Sequence, residues 1–138
     1  MKIPKMLFVA GIVLVIVGCT SDRPWIGTYA LEITEESKEM YDMFIEMGMV
    51  WPEITLNEDG TFVTHKTEGG VKISGNYTVE GTTLTIYAQE VGGKEPEGKY
   101  AEPHKALFED NFQVLMMEGP DRERWVRKEA NTAFLKGA

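Results

Sequence analysis

The chain has 138 residues, 43% apolar and 26% charged, with a formal net charge of −8 and a single cysteine. That length is one domain. A lone cysteine excludes an intrachain disulfide and a cysteine-cluster zinc site, and the acidic balance argues against a nucleic-acid face.

Lys2 and Lys5 precede an unbroken apolar run from Met6 to Val17. The run is too short for a spanning helix, which needs about twenty residues, and it suits the h-region of a secretory signal helix. It ends Ile16-Val17-Gly18-Cys19. An aliphatic residue three before a cysteine, with a small residue directly before it, resembles the lipobox of bacterial lipoprotein signals. The resemblance implies that residues 1–18 are a cleaved signal peptide and that Cys19 receives a diacylglycerol. The freed amino group is then often acylated too. Two or three acyl chains hold a protein at a bilayer, whereas one binds reversibly. Thr20 stands where an aspartate would retain such a protein in the inner membrane. In a host with two membranes it implies an outer-membrane address facing the periplasm. Residues 19–24 are the lipidated cysteine and a polar tether. Residues 1–18 hold two of the fourteen basic residues and no acidic one, so the chain from Cys19 carries −10.

From Trp25 the pattern is one of strands and tight turns. Trp25 to Ile33 forms a first strand with Tyr29, Leu31 and Ile33 alternating. Glu35 to Met47 is the exception. Met40, Met43, Phe44 and Met47 follow helical spacing on one face, with Glu39, Asp42 and Glu46 opposite. Thr34 is the expected N-cap and Gly48 the stop. Trp51-Pro52 then forces extended chain. Ile54 to Leu56 is a second strand, and Asn57-Glu58-Asp59-Gly60 is a hairpin turn. Thr61 to Lys66 is a third, and Gly69-Gly70 turns the chain.

Val71, Ile73, Gly75, Tyr77 and Val79 then alternate cleanly with polar residues, which gives a fourth strand with one dry face. Thr82 to Ala88 is a fifth, followed by a long loop over 89–103. Lys105 to Phe108 is a sixth. Phe112, Val114 and Met116 line a seventh, and Glu123 to Lys128 is an eighth with Trp125 inward. Residues 129–138 are a tail or short terminal helix.

Eight short strands with tight turns predict a mainly β domain over 25–128. The expected form is an eight-stranded antiparallel up-and-down barrel, with a short helix inserted after the first strand and covering one mouth. Trp25-x-Gly27-x-Tyr29, Leu56-Asn57-Glu58-Asp59-Gly60-Thr61-Phe62, Gly75-Asn76-Tyr77, Asp110-Asn111-Phe112 and Arg124-Trp125-Val126 resemble the small lipocalin-like bacterial lipoproteins. That resemblance speaks to fold and leaves function open.

Catalytic motifs are missing, and the carboxylate pairs lie in exposed contexts, so the expectation is a non-enzymatic protein. His65 and His104 have no third histidine to complete a metal set, and no cofactor is expected beyond the lipid on Cys19. Two function classes follow. In the first, a monomeric barrel at the membrane holds a small apolar or amphipathic ligand, or scaffolds envelope proteins. Its cavity would be lined by Tyr29, Met40, Phe44, Met47, Phe62, Tyr77, Val114, Met116 and Trp125. In the second, a protein–protein module uses its negative field toward a basic hydrolase or an envelope stress partner. A third reading takes Met40, Met43, Met47 and Met49 as soft thioether ligands for Cu(I), against the plainer reading of apolar packing.

Overall fold

The computed structural model describes residues 23–65, 71–119 and 122–137. The expected signal peptide, Cys19, most of the expected tether, the Gly69-Gly70 turn and part of the turn after Gly119 lie outside the described residues. Eight strands close into an antiparallel barrel in which each strand neighbours the next in sequence. They are β1 (Gly27–Leu31), β2 (Glu53–Leu56), β3 (Thr61–His65), β4 (Lys72–Glu80), β5 (Thr83–Val91), β6 (His104–Glu109), β7 (Val114–Met117) and β8 (Arg124–Arg127). Helix α1 (Lys38–Glu46) follows β1, and α2 (Lys128–Gly137) follows β8. Among the described residues no helix is long and apolar enough to cross a membrane.

Period-two alternation places the core. Tyr29, Ile54, Leu56, Phe62, Ile73, Tyr77, Leu84, Ala106, Phe108, Leu115 and Trp125 form one buried cluster inside the barrel. Eight strands give an interior that side chains can fill. Gly75 marks the tightest spot. It faces Phe62 at a register shift beside Ser74, and a Cβ there would run into the backbone of Tyr87 and Gln89.

The β2–β3 hairpin forms as the Asn-Glu-Asp-Gly signal predicts. Asp59 accepts from the Thr61 amide at 3.0 Å and from its hydroxyl at 2.6 Å. These bonds hold the Asp59 carboxyl below its ordinary value, the hydroxyl bond being the larger cause.

Two expectations are corrected. The first concerns β7. Asp110, Asn111 and Phe112 all adopt positive φ, between 53° and 66°. Phe112 is therefore a turn residue rather than the first residue of the strand. The phase flips by one residue, and a one-residue slip exchanges the faces. Leu115 and Met117 point inward. Val114 is buried on the outer wall, opposite Val126, itself opposite Ala30. Met116 sits opposite half-exposed Leu107, also outside.

The second concerns α1. It packs beside the barrel rather than across its mouth. Tyr41 and Phe44 meet the Trp51 ring edge-on at 5.4 and 5.3 Å. Trp51 belongs to a separate outer cluster with Ala30 and Ile33, covered by Phe134 and Leu135 of α2. The helix is thus rotated from the expected orientation, and Met40, Met43 and Met47 face solvent. Its N-cap is Ser37 rather than Thr34, with no side-chain bond to a helix amide. A reciprocal Thr34–Ser37 turn precedes it, with the Thr34 amide donating to Ser37 Oγ at 2.8 Å. At the other end the Gly48 amide donates to Ile45 O and the Met49 amide to Phe44 O, the double closure that a left-handed glycine permits.

Candidate functional site

The barrel has two ends of different character. The chain enters at the first, which is sealed. Trp25 Nε1 donates to Tyr77 Oη at 3.2 Å, and Tyr77 Oη donates to Asn57 O at 2.7 Å. Tyr29 Oη lies 3.0 Å from Trp25 O and 3.1 Å from Phe112 O. The Arg127 guanidinium stacks 4.5 Å from the Tyr29 ring. It donates to Ile26 O at 2.7 Å, to Phe112 O at 3.2 Å, and to Pro24 O. Gly27 has φ 138°, and a Cβ there would strike this guanidinium. One arginine thus ties the chain around Pro24 and Ile26 to the last strand and to the β6–β7 turn.

The interior between the ends is occupied. Tyr29 and Phe62 are fully buried, and Tyr77 and Trp125 nearly so. These four expected lining residues do face one another, as a packed core. Among the described residues the buried Trp125 indole N–H has no acceptor. Among the described residues no group of three or more His, Cys, Asp or Glu forms a metal set.

At the second end, the outer wall carries a cleft of about 290 Å³. Trp51, Ile33 and Leu135 line it from the wall and α2, and Ile45, Met49 and Val50 from the α1 side. The Leu31 carbonyl organises this region. It accepts from Trp51 Nε1 at 2.7 Å and from Asn131 Nδ2 at 3.0 Å. Asn131 Oδ1 in turn accepts from the Ile33 amide at 3.0 Å. The Glu53–Lys128 ion pair, 3.0 Å, closes one edge.

Further apolar side chains of α1 and the segment after it stand exposed, the methionines across the helix from the cleft and Ile45 and Val50 at its rim. Met40, Met43, Ile45, Met47 and Val50 are each more than half exposed. Of the expected lining residues on α1, only Phe44 packs, against Trp51 rather than inside the barrel. The sequence reading missed Arg127, Asn131 and Trp51 as organising residues. Trp51 next to Pro52 was a readable signal for a buried aromatic at a chain reversal. Comparisons with family models, curated proteins and solved structures gave no match for the chain.

Proposed function

We propose that this is a non-enzymatic, lipid-anchored envelope protein of the lipocalin-like kind, whose barrel is a rigid pedestal presenting the α1–cleft face to a protein partner. One observation carries the reading: aromatic side chains fill the barrel interior while five large apolar residues of the α1 region stand exposed. Soluble surfaces rarely group such residues without an interaction to cover them. The Ile16-Val17-Gly18-Cys19 run supports the anchor, and Thr20 supports an outer-membrane address in a two-membrane host.

The cleft favours a second reading. Its 290 Å³ lies near the lower end of small-ligand sites, roughly 300–1,000 Å³. A small amphipathic molecule would rest on Trp51 with its polar end toward Glu53 and Lys128.

Site-specific photocrosslinking in the native host separates these readings. A benzophenone side chain replaces Met43 or Met47 in the full chain, with Lys105 on the outer side of β6 as control. The docking reading expects a discrete protein adduct from the two α1 sites and none from Lys105. No adduct from α1, with a small molecule retained in native mass spectrometry, would replace it with the second reading. In the same cells Cys19→Ala leaves an uncleaved, unlipidated precursor; normal cleavage and membrane partition of that variant would remove the anchor from the account.

A further inference from the structure

The exposed α1 stripe has a chemistry that selects its partner. Met40, Met43 and Met47 recur at i, i+3 and i+7, so they form one ridge along the helix. Methionine is unbranched and polarizable, and it adapts to irregular apolar shapes. The ridge is not needed by the fold, since α1 is held through Tyr41 and Phe44.

Charge borders it. Glu39, Asp42 and Glu46 run along the adjoining side of the same helix, and Glu35 and Glu36 stand at its start. Between residues 35 and 53 six acidic residues accompany one basic residue, Lys38, which is tied to Asp42 at 3.0 Å. The 290 Å³ cleft lies on the opposite flank of α1, past Tyr41 and Ile45, and is separate from the ridge.

We infer that this face receives a basic amphipathic helix of a partner protein, its apolar ridge on the methionines and its Lys or Arg residues against Glu39, Asp42 and Glu46. The inference rests on the docking role proposed above and names its occupant. A second copy of this chain would set acidic stripe against acidic stripe in a domain already at −10, and like charges juxtaposed oppose association. An anionic bilayer meets the same repulsion. A helix fits because ridges three and four residues apart on one helix pack into the grooves of another.

The test uses the full chain in phosphatidylcholine nanodiscs, with empty discs subtracted. The probe is a labelled leucine–lysine peptide of about fourteen residues with leucine at i, i+3, i+4 and i+7. A glutamate-for-lysine version and a shuffled version with no apolar stripe serve as controls. Fluorescence anisotropy is expected to show micromolar binding of the probe, and binding weaker by roughly tenfold or more for both controls. Met40/Met43/Met47→Ser is expected to weaken the probe by a similar factor. Glu39/Asp42/Glu46→Gln is expected to do the same and to flatten the salt dependence between about 0.05 and 0.2 M. Circular dichroism verifies that both variants keep the fold. Equal binding of the glutamate peptide, or wild-type binding by both variants, overturns the inference. No probe binding while the Met43 adduct persists also overturns it and leaves the docking role standing. Loss of the adduct as well removes both.

Discussion

Tyr29 sits where burial opposes ionisation. Burial pushes its phenol up to about 12, with Arg127 pulling the other way and Tyr77 adding to the rise. In the unfolded chain the group titrates near 10. The folded protein therefore keeps a proton that the unfolded chain loses. Stability from this group is complete below about pH 10 and drains away as pH rises toward 12. The loss across that window is about 3 kcal/mol. Denaturant melts across the alkaline range are expected to show this limb in the wild type and a shallower one in Tyr29→Phe. Parallel alkaline limbs in both would mean the phenol is not shielded. The role of Tyr29 as a core residue was legible from the Trp25-x-Gly27-x-Tyr29 alternation. Its partner Arg127 was not. An arginine ending a strand looks like any solvated charge until barrel closure brings it within 2.7 Å of Ile26 O, a carbonyl 101 residues away in sequence.

At the scale of elements, strand positions were readable wherever a turn residue followed clean alternation. β4 has its expected phase because Ile73, Gly75, Tyr77 and Val79 alternate without interruption. β7 lost its phase because the left-handed run of Asp110 and Asn111, residues that tolerate positive φ, extends to Phe112, an aromatic residue that rarely adopts it. The Tyr29 hydroxyl and Arg127 hold that turn through Phe112 O, and Trp25 and Phe108 hold it through the Phe112 ring at 6.2 and 5.0 Å. For α1 the existence and C-terminal stop were legible and the buried face was not. The methionines outweigh Tyr41 in apolar pattern, yet the aromatic pair wins because Trp51 makes T-shaped contacts with both rings. Asn131 decides how α2 attaches, and nothing in a polar residue within the ten-residue C-terminal tail marks it as buried. Asn131→Ala leaves the Ile33 amide without its acceptor, at a cost of about 1–3 kcal/mol. Hydrogen exchange is expected to accelerate across α2 and at Ile33 while β3 to β5 stay protected. Unchanged protection in α2 would show that Phe134 and Leu135 alone hold it.

For the whole molecule, a closed meander leaves no free sheet edge, and its core is complete within the wall. The end at which the chain enters is sealed by Arg127, and the opposite end carries an open cleft and, across α1 from it, the methionine ridge. A fold that has already satisfied its core has no structural use for three exposed methionines on one helix. The direct test of that claim is a denaturant melt of the full chain carrying Met40/Met43/Met47→Ser. Exposed positions away from a core shift stability by about 0.5 kcal/mol each or less, whereas truncating a buried methionine costs about 2–5 kcal/mol. The account predicts a melt within about 1.5 kcal/mol of wild type with an unchanged slope. A loss as large as that of a buried methionine would contradict it, and would mean that the ridge packs within the protein's own fold.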